Sequence, residues 1–541
     1  MQEKNAEATE EINMVWTIET PQGSEAKKII WETVPYTRGR GLDVGCGPMK
    51  LWPQSIGVDN DKDVSLFGQE ASDANLRCSA EDMSIIASQS MDYVFSAHML
   101  EHFDDYMAPL REMWRVLKQG GYLLLYLPHK DFYPNIGQEG ANPDHKHDFM
   151  PQDIIDSMKK VGGWDCVENQ DRNEDNEYSF FVVFKKISDK NRHMFSYKDP
   201  KPKKTCAVVR YGAWGDAIQT SSILPGLKEQ GYHITLYTVP RCFEVLKHEP
   251  LIDRVIMQDP EQVPNHWLGP FWEYLSKKYD KFVNLSESVE ATFLAMPERM
   301  PYKWTTEARH MVMNGNYWEF MHKAASVPYD RPMSRFVASD EEKAWALAEK
   351  KKIGAAPMIL WTLAGSSVHK VWEGVDHVFA RIMLGFPEAK IVTVGDQRCK
   401  DILEVPWEKE PRVIRRSAVW SIRQTMAFAQ VCDVVIGPET GVMNSVCMEK
   451  MPKIVLLSHS SVNNLTRDWN NTYSVFSKDT PCYPCHKMIH NWDQCVRDDA
   501  TGTAHCQVSI HPDMVWDALC ESLGYDEAVR AATIPALKEA A

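Results

Sequence analysis

Three groups of residues in this chain have the types and spacing for chemistry. In Arg38–Pro48, RGRGLDVGCGP, a short strand runs into a glycine turn. Gly45 and Gly47 there let backbone approach a ligand closely, with Asp43 and Cys46 beside them. Beyond Gly47 the strand SIGVD ends in Asp59, and a carboxylate at a strand end can accept two hydrogen bonds from a ribose diol. Alone, a G-x-G fits a simple tight turn equally well. Asp82 in SAEDM, then His98 and Leu100-Glu101-His102 in MDYVFSAHMLEH, then the strand GGYLLLYLP complete an ordered series. DHKHDF (Asp144–Phe149) adds His145 and His147. An i,i+2 histidine pair without a carboxylate reads first as a solvated loop and only second as metal ligands.

The second group lies after a basic stretch. In AVVRYGAWGDAIQT, Asp216 follows Gly215 at a helix start, where it serves either as an N-cap or as a general base at a cleft mouth. Lys370 and Trp372 fall in the loop between the strand MILWTLAG and an amphipathic helix. A lysine there either neutralises a diphosphate or is merely exposed. Glu439, Thr440 and Gly441 open a further helix, whose free amides and positive dipole end suit an anion. The third group is Cys482, Cys485, Cys495 and Cys506, interspersed with His486, His490 and His505. A C-x2-C pair can bring two thiolates to one tetrahedral metal; a structural zinc and reduced thiols in a packed loop both fit.

The elements that must position these residues alternate strand and amphipathic helix over most of the 541 residues, which predicts α/β layers with parallel sheets. The clearest break is Lys185–Lys204, with eight Lys/Arg against two Asp and two prolines. The expected organisation is a first domain over 1–186, a basic linker over 187–204, a domain over 205–345 and a last domain over 346–541 carrying the cysteine-rich loop 482–506. Ordinary composition (44% hydrophobic, 25% charged) excludes a disordered or coiled-coil chain. A net charge of −15 argues against a dedicated duplex-DNA binder. The polar, acidic N-terminus holds no signal-peptide core and no run of 18 apolar residues occurs, so the expected setting is cytoplasmic without a membrane span.

The first series resembles class I S-adenosylmethionine-dependent methyltransferases, in particular the type 11 group, over about residues 38–186. The resemblance implies a Rossmann-like domain in which Asp43 and Gly45–Gly47, Cys46 included, lie against the methionine moiety. It also implies that Asp59 holds the ribose, Asp82 faces the adenine and His98 stands beside the sulfonium. The usual third glycine is replaced, since the motif runs Gly47-Pro48-Met49, and the short interval to Asp59 implies a loop where relatives have a helix. The pieces after the linker resemble the heptosyltransferase family, glycosyltransferase family 9, over about residues 205–525. That resemblance implies a GT-B pair of Rossmann-like domains, an inverting sugar transfer from a nucleotide-sugar donor with Asp216 as base, Lys370 on the phosphates, and donor contacts from Trp372, Glu439, Thr440 and Gly441. Glu439 replaces the family's aspartate and Asn444 its histidine. Together the resemblances imply a bifunctional enzyme that glycosylates and methylates a glycan acceptor in polysaccharide synthesis. A modified nucleic-acid base as acceptor, supported only by the basic linker, and a scaffold role for one domain are the alternatives.

Overall fold

The structure, a computed structural model, describes residues 25–61, 71–290, 292–330, 332–354, 357–491 and 494–525. The acidic N-terminal segment, residues 1–24, lies outside the described residues. Two compact units are present: the described residues through Lys203 together with Met257–Lys278, and Lys204–Ile256 together with the described residues from Tyr279 onward.

Unit 1 is built on one eight-stranded sheet. Its strands are β1 (Gly41–Val44), β2 (Ile56–Asp59), β3 (Leu76–Arg77), β4 (Met91–Ala97), β5 (Leu117–Pro128), β6 (Trp164–Arg172), β7 (Ser179–Lys186) and β8 (His193–Met194). They lie in the order β3-β2-β1-β4-β5-β7-β6-β8. The first five run parallel, and β7 joins β5 antiparallel. The central strands read as near-continuous apolar runs because both faces are covered. In β7, Ser179–Phe184 are all buried. The Met107–Val116 helix contributes Leu110, Met113 and Trp114 to that core, and the helix Pro151–Met158 contributes Ile154, Ile155 and Met158. Each such side chain stabilises the fold by roughly 1.5–3 kcal/mol relative to exposure. Between Gly45 and β2 the chain makes turns and no helix.

Two features depart from the expected organisation. The basic stretch is not only a linker: β8 pairs parallel with β6 through Trp164↔His193 and Asp165↔Met194, and Trp164 packs against His193 and Phe195. Aromatic and β-forming residues at 193–197 override the surrounding charge. Second, Met257–Lys278 does not belong with 205–345 but with unit 1. Phe271 packs on Trp31 and Trp267 on Trp52. Asp259 accepts from Arg38 Nε at 2.6 Å and from the Gly39 amide at 2.7 Å. A unit 1 ending near residue 190 would therefore lack both β8 and this aromatic cover.

Unit 2 holds two sheets. The smaller one, ordered β11-β10-β9-β12, comprises β9 (Thr205–Arg210), β10 (His233–Thr238), β11 (Arg254–Met257) and β12 (Lys281–Asn284). The larger is β13 (Met358–Thr362), β14 (Lys390–Val394), β15 (Val413–Arg415), β16 (Val434–Pro438), β17 (Lys453–Leu456) and β18 (Thr472–Val475), in the order β15-β14-β13-β16-β17-β18. All its pairings are parallel. The charged helix Asp340–Ile353 precedes β13. It opens with a capping box in which Ser339 Oγ accepts from the Glu342 amide and Glu342 accepts from the Ser339 amide. One apolar core spans both sheets, from Val208 and Leu236 to Leu360 and Val435. No helix among the described residues is long and apolar enough to cross a membrane.

Candidate functional site

In unit 1 the carboxyl ends of β1, β2 and β4 meet. Gly45 and Gly47 both adopt left-handed backbone, φ +73° and +56°, which glycine tolerates without cost. A Cβ on Gly45 would stand 2.8 Å from Met99 Cγ, whereas one on Gly47 would meet nothing within 4 Å, leaving room there for a ligand. Asp59 shapes the turn: its carboxylate accepts from the Gly47 amide at 3.0 Å and from the Asp61 amide at 2.8 Å. Asp43 turns inward. It is 1% exposed and accepts from the Leu51 amide at 2.6 Å. Burial, only partly offset by that bond and by Lys27 and Lys50, pushes its carboxyl up to about 7. Asp43 therefore fixes the turn instead of presenting a free carboxylate to the methionine moiety. Cys46 is buried with its thiol against Gly57, and burial raises its pKa. Asp82 is exposed, accepts from the Ser84 amide at 3.0 Å, and is held below the usual carboxylate range chiefly by Ser84.

His98 follows β4 in left-handed backbone at φ +46°, an outlier of the kind that clusters at functional sites. Its Nε2 lies 2.8 Å from Ser179 Oγ, and burial lowers its pKa to about 3, so the ring is neutral near pH 7. The Glu101 side chain is fully buried, and neither oxygen accepts a hydrogen bond from another residue. Burial drives its carboxyl up to about 8. His145 reaches this same spot, with Nε2 3.9 Å from Glu101 Oε1. His147 does not: it packs on Tyr106 and Phe149. Of the two histidines, only His145 comes within 4 Å of Glu101.

Unit 2 carries a cleft of about 620 Å³. Asp216, Lys370, Glu439, Thr440 and Gly441 all line it, with Asn444. The short Trp214–Thr220 helix opens on one side. Asp216 is its third residue, not its N-cap, and Oδ2 accepts from the Ala213 amide at 3.0 Å. Oδ1 lies 3.1 Å from Arg210 Nη2. Arg210, at the end of β9, is fully buried and also pairs with Glu290 at 3.1 Å and donates to the Leu285 carbonyl. One buried guanidinium thus bridges two carboxylates, which supplies the paired partners that such a charge demands. Burial and the neighbouring Asp216 raise the pKa of Glu290. Gly212, at φ +117°, separates the two acids: a Cβ there would stand 2.7 Å from Glu290 Oε1 and 3.2 Å from Asp216 Oδ2. Arg210 and Glu290 carry no motif. The available signal was an arginine inside the apolar run AVVR, which needs a buried counter-charge.

Across the cleft, Thr440 caps the Gly441–Ser445 helix, its Oγ1 accepting from the Met443 amide. Gly441 and Gly215 let the two helix starts approach, since a Cβ on Gly441 would come within 2.9 Å of Trp214. Asn444 ties them together, accepting from Gln219 Nε2 at 2.9 Å while its own amide donates to the Thr440 carbonyl. Lys370 is buried, not a surface lysine. Its Nζ donates to the Glu439 carbonyl at 2.7 Å, and burial lowers its pKa. The Glu439 carboxylate is committed elsewhere, accepting from the Ser458 amide and hydroxyl and the His459 amide. It holds the 458–459 loop, while His459 itself lines the cleft. Trp372 does not reach the cleft: it is 3% exposed, stacks on Trp361 and donates to the Ile510 carbonyl. Its size and apolar ring place it in the core below β13, so it contacts no donor.

The four cysteines Cys482, Cys485, Cys495 and Cys506 are free thiols that perturb one another electrostatically. Among the described residues no three of their sulfurs come within 4.8 Å of one another, so the arrangement is not a formed tetrahedral centre. The loop is instead pinned by backbone, the Ala295 amide donating to the His486 carbonyl and Arg309 Nε to the Cys485 carbonyl.

The fold is α/β in both units, one eight-stranded sheet in unit 1 and sheets of four and six strands in unit 2. Residues 42–125 match the family model described as a methyltransferase domain. A glycosyl transferase family 9 structure from Veillonella parvula is 16% identical, covering 60% of this chain and 98% of its own at a TM-score of 0.44. The E. coli ADP-heptose LPS heptosyltransferase II is 14% identical over 59% of this chain and 98% of its own, TM-score 0.42. A SAM-dependent methyltransferase from Thermotoga maritima is 17% identical over 30% of this chain and 91% of its own, TM-score 0.22. No curated protein matches the chain.

Proposed function

We propose that the chain is a bifunctional transferase: unit 1 methylates and unit 2 transfers a sugar from a nucleoside-diphosphate sugar to a glycan acceptor. The observation that carries the second activity is the pair of carboxylates on Arg210 facing, in one cleft, the buried Lys370 and the start of the Gly441–Ser445 helix. That layout separates an acid–base side from an anion side. Lys370 and the free amides beside Thr440 receive the diphosphate. Asp216, with Oδ1 oriented by Arg210, accepts the acceptor hydroxyl's proton as its oxygen bonds to the anomeric carbon. The bond to the diphosphate breaks at the same time, its electron pair leaving with the phosphate, and the configuration inverts.

In unit 1 the open space at Gly47 and the left-handed turn at Gly45–Gly47 suit S-adenosylmethionine, which when bound supplies an electrophilic methyl group. Asp59 would hold the ribose and the exposed Asp82 the adenine. His98, neutral and hydrogen-bonded to Ser179, would orient the acceptor beside β4. Purified chain should retain or bind S-adenosylmethionine in calorimetry and release nucleoside diphosphate from one member of a panel of nucleotide-sugars. Binding of neither class of donor would refute the assignment.

A further inference from the structure

Unit 1 holds a cluster around Glu101 of which the proposed methyl transfer uses only His98. Glu101 Oε1 is encircled by imidazole nitrogens: His145 Nε2 at 3.9 Å, His102 Nε2 at 4.0 Å and His98 Nδ1 at 4.0 Å. Ligand atoms from Glu101, His102 and His145 all lie within 4.8 Å of one another. We propose that Glu101, His102 and His145, with His98 as an adjoining fourth donor, bind a divalent first-row transition-metal cation.

Three independent features point to a cation. The first is the orphaned carboxylate: the Glu101 side chain has no solvent exposure and its oxygens accept nothing from another residue. A buried polar group without a partner costs several kcal/mol, and the histidines offer lone pairs that a cation can share with it. Second, His102 is already oriented as metal-bound histidines are. Its Nδ1 lies 3.0 Å from Asp144 Oδ2, and a proton shared there leaves the Nε2 lone pair aimed at Glu101. Third, the rings of His102 and His145 stand at 85° with centroids 4.9 Å apart, so they converge edge to face without blocking the space between them. Bonds of about 2.1 Å in a tetrahedral site set ligand atoms about 3.4 Å apart. The Glu101–histidine distances of 3.9–4.0 Å exceed that by about half an ångström, and all three ligand atoms lie within 4.8 Å of one another. One carboxylate with two or three imidazoles is the donor set of zinc, cobalt, iron and manganese sites and not of the all-oxygen sites of calcium or magnesium.

Cobalt(II) is the probe that separates this site from the cysteine loop. Chelator-treated full-length chain is titrated with CoCl2, following heat by calorimetry and the visible spectrum. The expected result is one equivalent bound with weak d–d bands and no thiolate charge-transfer absorption, retained in Cys482→Ser. His145→Ala and Glu101→Gln should each remove that equivalent. Asp144→Asn, which alters the partner of His102 and touches no ligand atom, should weaken binding roughly 10–100-fold. Glu101→Gln keeps the side chain's shape and removes the acid, so the metal-free variant should fold about as stably as the parent. An unmodified chain that takes up no cobalt without thiolate bands overturns the proposal. So does retention of the full equivalent in both folded His145→Ala and Glu101→Gln.

Discussion

Asp216→Asn separates the chemical from the structural role of the cleft's best-placed acid. The side chain makes two contacts, to the Ala213 amide at 3.0 Å and to Arg210 at 3.1 Å. Asparagine can keep the first, because its carbonyl oxygen accepts as the carboxylate does. It loses the second, presenting an amide N–H to a guanidinium. A hydrogen bond to a charged partner is worth about 1.5–3 kcal/mol. Part of that loss is offset because Arg210 keeps Glu290 and the Leu285 carbonyl, and because Glu290 no longer faces a like charge. The expected destabilisation is therefore about 1–2 kcal/mol, seen as a drop of a few degrees in the unfolding of unit 2. Removal of the base acts on the barrier instead. Loss of general-base catalysis costs about two to four orders of magnitude, or about 3–5 kcal/mol. The assay is release of nucleoside diphosphate from the accepted nucleotide-sugar, with affinity for the same diphosphate measured by calorimetry. Turnover should collapse while affinity stays near that of the parent; Lys370→Ala should weaken both. Turnover within about threefold of the parent would leave Asp216 as a helix-start hydrogen bond and refute its role as base.

Glu290→Gln tests the second acid through pH. Its folded-state pKa is raised above the unfolded value, so its contribution to stability is complete at acid pH below the unfolded pKa and is lost as pH rises through the folded one. Between pH 5 and pH 8 the parent's unit 2 transition should fall more steeply than the variant's, and parallel curves would remove Glu290 from the titration. Gly212→Ala forces a side chain into left-handed backbone and against both carboxylates; an equilibrium unfolding loss of about 1–3 kcal/mol with a still larger loss of transfer is expected. A fragment ending at residue 190 exposes Trp31 and Trp52 by losing Phe271 and Trp267, and loses β8. It should aggregate or bind a hydrophobic dye where the full chain does not.

The strand–glycine-turn units were legible because their signals are local. The run RGRGLDVGCGP contains both the apolar strand and the glycines whose positive φ its turn requires. CDVVIGPETG likewise contains β16 and the Thr440 cap. What stayed hidden depends on distance along the chain. Arg210 and Glu290 are 80 residues apart, and nothing in AVVR names its partner. The return of Met257–Lys278 to unit 1 rests on indole and phenyl contacts with Trp31 and Trp52, and aromatic residues in a loop do not say which core they join. Trp372 misled for the opposite reason. Its place two residues after Lys370 reads as a donor contact, while the apolar ring packs in the nearest core and its N–H donates to the Ile510 carbonyl.

The two units also treat buried charge differently, and the difference carries meaning. In unit 2, Arg210 meets two carboxylates and a carbonyl, Lys370 a carbonyl, and Glu439 three donors from Ser458 and His459. Each of these ions has hydrogen-bond partners within the chain, which hold the cleft's geometry before a donor would arrive; such preorganisation is what electrostatic catalysis requires. In unit 1, Asp43 has the Leu51 amide and two nearby lysines. Glu101 has only imidazoles that are neutral near pH 7 where burial lowers them, as at His98 and His145. A neutral imidazole is the form that donates a lone pair to a metal. Arg210, Lys370, Glu439 and Asp43 each find their counterpart within the fold; the counterpart of Glu101 comes from outside it.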